Sequence, residues 1–174
     1  MNRTKKKITG EIEISKKVIS DIQREVKNIP DFKEKIESSL NKRTTELVEI
    51  ILTGSFYLDA SDIHLEPKED KVKCRIRVDG VLHDVTTFNF KIYKGLLSRI
   101  KLLSGIKLNV TGRPQDGRFS IIIERISIEI RASSLPSEYG ESIVLRILNP
   151  KWVVSMEALG LRAVSYTHLT LPTN

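Results

Sequence analysis

One octapeptide constrains the fold of this chain more than any other. Lys71-Val-Lys-Cys-Arg-Ile-Arg-Val78 alternates without exception between charged and apolar side chains. Successive residues of a strand point to opposite sides, so Val72, Cys74, Ile76 and Val78 share one face and Lys71, Lys73, Arg75 and Arg77 the other. A strand with one wet and one dry face belongs to a sheet covered on a single side. Asp79-Gly80 follows at once. An Asp-Gly pair supplies the two positive φ angles of a type I′ turn, which makes Val81 to Phe88 the returning strand of a hairpin.

Around this hairpin the apolar period is helical. Ile14, Val18, Ile22, Val26 and Ile29 recur at spacings of three and four, the mark of an amphipathic helix, and Pro30 is expected to stop it. Phe32, Ile36 and Leu40 form a second short stripe, with Asp31 as its cap. Residues 1–42 thus read as a helical lead-in. A third helix is expected from Thr44 to Tyr57 and a fourth from Phe90 to Ser104, the latter ended by Gly105 in a left-handed cap. Asn109 to Gly117 reads as a loop, and strands resume in Arg118 to Ile123, Ile126 to Arg131 and Ser142 to Leu148. This order predicts an α+β domain: a mostly antiparallel sheet with helices on one face.

Composition narrows the function classes. The 174 residues carry 29 Lys and Arg against 22 Asp and Glu, a net charge of +7 that asks for an anionic partner without choosing one. No stretch has the roughly 18 consecutive apolar residues of a membrane span. Cys74 is the only cysteine, so neither an internal disulfide nor a multi-thiolate zinc site can form. Aromatic residues make up 6% of the chain and none interleaves the basic strand, which weighs against the alternative reading as a nucleic-acid-binding module.

Three groupings carry chemistry. Gly112 to Phe119 approaches the phosphate-binding P-loop but has Arg118 and Phe119 where that loop needs a lysine and a hydroxyl, so it is expected to be structural. Asp62, His64 and Glu66 alternate and share one face of a short strand. Such a trio could hold a metal or act as an acid and base, yet ion pairing with the neighbouring arginines is the expected use, with no metal and no catalytic residue assigned. Finally, Arg75 and Arg77 project from one strand while Arg131 and Arg146 lie on two later ones. A guanidinium fork binds phosphate oxygens bidentately, each charge-assisted bond contributing about 1.5–3 kcal/mol. Alternation alone leaves open whether they form a phosphate site or an ordinary charged outer face.

Four segments, taken in order, carry a family resemblance: Ala60-Ser-Asp-Ile-His-Leu-Glu-Pro67, Arg75-Ile-Arg-Val-Asp-Gly-Val-Leu82, Arg113-Pro-Gln-Asp-Gly-Arg118, and the run from Arg131 to Leu148 with its Glu-Tyr-Gly-Glu141. Together they resemble the N-terminal domain of the type II secretion and type IV pilus assembly ATPases, bacterial hexameric motors. The resemblance covers about Thr44 to Leu161. It implies a PAS-like α+β domain over residues 43–161, preceded by a leader at 1–42 and normally followed by a RecA-like motor domain. It further implies that Arg131 and Arg146 reach nucleotide phosphates held by that motor domain, with Arg75 and Arg77 as a supporting basic face.

The same resemblance implies ATP and Mg as ligands of an intact member, with none expected on this chain by itself. Its implied partners are its own motor domain, neighbouring subunits of a hexamer and an inner-membrane platform protein, with no nucleic acid among them. Its implied location is cytoplasmic and peripheral to the inner membrane. The family's Walker A loop, acidic box, Walker B and His box do not occur in these residues. From about Arg162 the text to Asn174 departs from the family and reads as a frame-shifted or vector-derived end. The expectation is therefore a fragment that regulates and couples but does not hydrolyse ATP alone.

Overall fold

The computed structural model describes residues 10–149. The expectations for Met156 to Leu161 and for 162–174 lie outside the described residues. In chain order the elements are β1 (Glu11–Glu13), α1 (Lys16–Glu25), α2 (Ile29–Glu37), α3 (Thr44–Tyr57), β2 (Asp62–Pro67), β3 (Val72–Val78), β4 (Val81–Phe88), α4 (Phe90–Ser104), β5 (Gln115–Ile123), β6 (Ile126–Ser137) and β7 (Gly140–Leu148). The fold is α+β. One sheet runs in the order β1-β5-β6-β7-β2-β3-β4, and every neighbouring pair is antiparallel except the short parallel contact of β1 with β5.

The alternating strands place their apolar halves on one side. Ile63, Leu65, Val72, Cys74, Ile76, Phe119, Ile121, Ile128, Ile130, Ile143, Leu145 and Ile147 are all buried there. Against them pack α4, over β5 and β6, and α2, over β4, with α3 lying between α1 and α4. α3 is buried almost all round, from Leu47 to Phe56, which marks it as the central helix of that layer.

Local chemistry explains the helix ends. Asn89 caps α4 by accepting from the Ile92 N–H at 2.8 Å, and Gly105 closes it at φ 72°. Asp79 and Gly80 take φ values of 49° and 78°, the type I′ geometry their sequence demands. A second turn of this kind joins β5 to β6 through Glu124 and Arg125, both at positive φ without a glycine.

Several boundaries fall elsewhere than the sequence predicts. The first stripe divides: Glu11–Glu13 forms β1, Ser15 caps α1, and the helix ends at Glu25, before Pro30 is reached. Pro30 instead sits in the first turn of α2, where its missing N–H is not needed. The cap of α2 is Asn28, whose side chain accepts from the Asp31 N–H at 2.9 Å, so Asp31 is the capped residue and not the cap. Gln115 to Gly117 belongs to β5 and not to a loop, and β6 continues through Pro136 to Ser137. Within the lead-in, Ile22, Phe32 and Ile36 are completely buried and join the same hydrophobic core as the sheet.

An ion pair is embedded on the core side. Lys101 Nζ on α4 lies 2.7 and 2.9 Å from the two carboxylate oxygens of Glu141 on β7, with both side chains nearly inaccessible to solvent. Lys101 also donates to the Val110 carbonyl at 3.1 Å, Ser134 Oγ donates to Glu141, and the Tyr93 hydroxyl donates to the Glu141 backbone carbonyl. These bonds satisfy the buried charges and tie α4, the loop after it, β6 and β7 into one unit.

Candidate functional site

The face of the sheet opposite the helices carries the charged halves of the strands. Register aligns them in rows. Arg118 on β5 is the cross-strand partner of Arg131 on β6, Arg131 of Arg146 on β7, Arg146 of Asp62 on β2, and Asp62 of Arg77 on β3. With strands about 4.8 Å apart, the row Arg118–Arg131–Arg146–Asp62–Arg77 is roughly 19 Å long. Four of its five members are arginines. Like charges directly opposite one another in a sheet are destabilising, and here two such contacts follow in succession.

Carboxylates neutralise the row unevenly. Asp62 Oδ1 accepts from Arg146 Nε at 2.9 Å, and its Oδ2 accepts from Ser61 Oγ at 2.9 Å and lies 3.4 Å from Arg77 Nε. Burial, the largest influence on Asp62, favours its protonated form. The hydrogen bonds from Arg146 and Ser61 and the charges of Arg146 and His64 outweigh it and hold the carboxyl below the usual range. Arg131 Nε lies 3.2 Å from Glu129 on its own strand. Arg118 is exposed, and its side chain makes no ion pair or hydrogen bond among the described residues.

The next row along the strands contains Ser133, Val144, His64, Arg75 and Asp84 as successive partners. Arg75 lies 2.7 Å from Asp84 and 3.7 Å from Glu66, and Lys73 reaches Asp84 at 3.1 Å. His64 Nδ1 is 3.8 Å from Glu66. Burial lowers the His64 pKa from its ordinary value; Glu66 and Asp62 oppose that effect, and Arg77 and Arg75 add to it. His64 is therefore neutral at pH 7, and the positive charge of this face is carried by arginine and lysine.

The sequence candidates now have positions. Arg131 and Arg146 stand side by side, 64% and 65% exposed. Arg77 belongs to the same row, whereas Arg75 lies one row away and is occupied by carboxylates. Asp62, His64 and Glu66 do share a face, and their contacts are ion pairs with Arg146, Arg77, Lys68 and Arg75. No group of three or more His, Cys, Asp and Glu side chains among the described residues is arranged to hold a metal ion. Cys74 is buried on the apolar side, where burial pushes its thiol up to about 12, far from the range of a nucleophile.

Arg118 is the member of the row that the strand patterns leave out, because nothing local to it announces Arg131 as a neighbour. The signal available was the P-loop-like stretch itself: the segment that fails as a phosphate cradle delivers its arginine to the arginine row.

The model of the family described as Type II/IV secretion system protein matches residues 37–170. Type II secretion system protein E of Pectobacterium carotovorum subsp. carotovorum is 33% identical over 156 residues, which is 86% of this chain and 31% of that protein. The type IV pilus assembly ATPase TfpB of Acinetobacter baylyi is 38% identical over 122 residues, 69% of this chain and 21% of its own length. The putative type II secretion system protein E of Escherichia coli is 35% identical over 162 residues, 89% of this chain and 32% of that protein. Among solved structures, the pilus retraction motor PilT with bound ADP aligns with a TM-score of 0.43 at 21% identity, over 66% of this chain and 32% of that one. The chain thus spans about a third or less of the curated relatives it matches.

Proposed function

We propose that this chain, which belongs to the Type II/IV secretion system protein family, is the N-terminal regulatory and coupling domain of a hexameric motor ATPase for type II secretion or type IV pilus assembly. Its role is to present Arg131 and Arg146 to the phosphates of a nucleotide held by a motor domain. The sheet and its helix layer are the PAS-like unit of that motor. Its partners are the motor domain, neighbouring subunits and an inner-membrane platform protein, which places the assembly in the cytoplasm against that membrane.

One observation carries this reading: Arg131 and Arg146 are direct cross-strand partners, and both are more than half exposed. A guanidinium pair so close is unfavourable until an anion shares it, and a phosphate with several oxygens accepts from both forks. The relative TfpB, named as an ATPase, supports nucleotide as the source of those phosphates. ATP bound by the motor domain would favour the arrangement in which the two arginines meet it. Hydrolysis removes that preference and lets the domains move apart, a population shift driven by contacts made in only one state.

The test is steady-state turnover of the full-length motor that contains this domain. Arg131→Gln and Arg146→Gln are each expected to lower kcat at least tenfold with the hexamer intact, the size of effect seen when a charge on a transferring phosphoryl group loses a partner. Unchanged turnover in both variants would refute the reading.

A further inference from the structure

We infer that Arg118 is a third phosphate-contacting residue, and that a phosphate group seats between Arg118 and Arg131, next to the Arg131–Arg146 pair. This rests on the anion-site reading above and gives it a position.

Three observations meet at this place. The register pairs Arg118 directly with Arg131, so the two guanidiniums rise from adjacent strands on the same side of the sheet. A depression of about 440 Å³ is lined by Asp116, Gly117, Arg118, Arg131, Ala132 and Ser133. The free charge also lies here: Arg146 and Arg77 already share the Asp62 carboxylate, whereas Arg118 has no ionic partner among the described residues and Arg131 commits only Nε, to Glu129. At the Arg146 end an incoming oxyanion meets a fork whose Nε is already held by Asp62, a carboxylate that also accepts from Ser61. At the Arg118 end it meets two forks with their terminal N–H groups unclaimed.

Two carboxylates work against an anion here, Glu129 on Arg131 Nε and Asp116. Asp116 faces the same depression two residues along β5, its carboxylate accepting from Ser133 Oγ at 2.5 Å. Asp116 and Ser133 are themselves cross-strand partners, one row from the arginines, and their bond gives the site a polar border. A single phosphate group, with oxygens on several sides, can accept from both forks at once.

The probe is inorganic tripolyphosphate, titrated calorimetrically into the 174-residue chain at low ionic strength and again at high salt, since contacts of this kind are screened. Arg118→Gln and Arg131→Gln are each expected to weaken binding at least fivefold. Arg118→Lys, which keeps the charge and loses the fork, should fall between Arg118→Gln and the unaltered chain. Lys91→Gln, the same change of net charge at an exposed position on α4, should alter it less than twofold. Thermal melts of every variant check folding, and an exposed strand arginine is replaced by Gln without a packing defect. If Arg118→Gln behaves like Lys91→Gln while Arg131→Gln and Arg146→Gln lose affinity, the seat is at the other pair: this inference is overturned and the anion-site reading stands. If the chain does not bind tripolyphosphate, or if all variants match Lys91→Gln, both are overturned.

Discussion

Arg146 Nε donates to Asp62 Oδ1 at 2.9 Å across paired strands separated by 84 positions in the chain. This bond decides how the arginine row distributes its charge. Asp62 is nearly inaccessible and Arg146 mostly exposed, so the carboxylate is the buried half of the pair and the guanidinium the solvent-facing one. Its terminal N–H groups stay available while Nε is held.

Asp62→Asn separates the two consequences of that bond. The substitution keeps the shape and removes the charge, so Arg146 and Arg77 lose their shared anion. Stability is expected to fall by about 1 kcal/mol, less than a charge-assisted bond usually contributes because Arg146 is so exposed. Affinity for tripolyphosphate is expected to rise a few-fold. Urea titration and calorimetry read the two effects, and a fall in both would show that Asp62 builds the site instead of competing for it.

The pH dependence of stability on the acid side should include one step from His64 and one from Asp62. His64 has its folded pKa lowered by burial, so its contribution is complete above the unfolded value of about 6.5 and is lost as pH falls below it. Asp62 ends below its ordinary value because Arg146 and Ser61 outweigh the opposing effect of burial. Its contribution persists above about pH 4 and is lost as pH falls through its folded pKa. Melting curves from pH 8 to 3 should lose the first step in His64→Gln and the second in Asp62→Asn. Ring-proton NMR should show His64 titrating below the value of a free histidine.

Lys101→Met tests the buried pair. It leaves the Glu141 carboxylate buried with Ser134 but no countercharge, and a loss of about 3–5 kcal/mol is expected in chemical denaturation. The double variant Lys101→Met with Glu141→Gln removes the stranded charge and should recover a substantial part of that loss. A double variant as unstable as the sum of the single ones would show that the two residues act independently.

Gly117 is a packing requirement beside the proposed phosphate seat. A Cβ there would overlap the Ser104 carbonyl oxygen at the end of α4 and come within 2.8 Å of Ile106 Cγ1. Backbone on one side cannot retreat cheaply, so Gly117→Ala is expected to cost about 1–3 kcal/mol in stability. Because the clash is on the core side and Arg118 projects from the other, the loss should appear in urea titration more than in tripolyphosphate affinity at temperatures where the protein remains folded.

Much of the architecture follows from local chemistry and was legible residue by residue. The ranges of α3, β4 and α4, the Gly105 cap and the Asp79-Gly80 turn match the sequence expectations because each depends on neighbours within one turn or one hairpin. Where the outcome depended on distant chain, the pattern was silent. β1 has three residues and exists as a strand only through its pairing with β5, more than a hundred positions later. Gln115 to Gly117 looks like a loop until β6 supplies partners, and Pro136 sits within β6. The face on which Arg131 and Arg146 lie could be read from alternation.

By itself, then, the sequence determined which elements form, which side of each strand is charged and which family the chain resembles, since periodicity, turn residues and motif order are properties of contiguous residues. Only the tertiary structure decided which charges meet. Alternation places a side chain on a face but leaves its position along the neighbouring strand free. The register then sets Arg118 beside Arg131 and gives Asp62 to Arg146 and Arg77, a pairing maintained by backbone bonds between segments far apart in the chain.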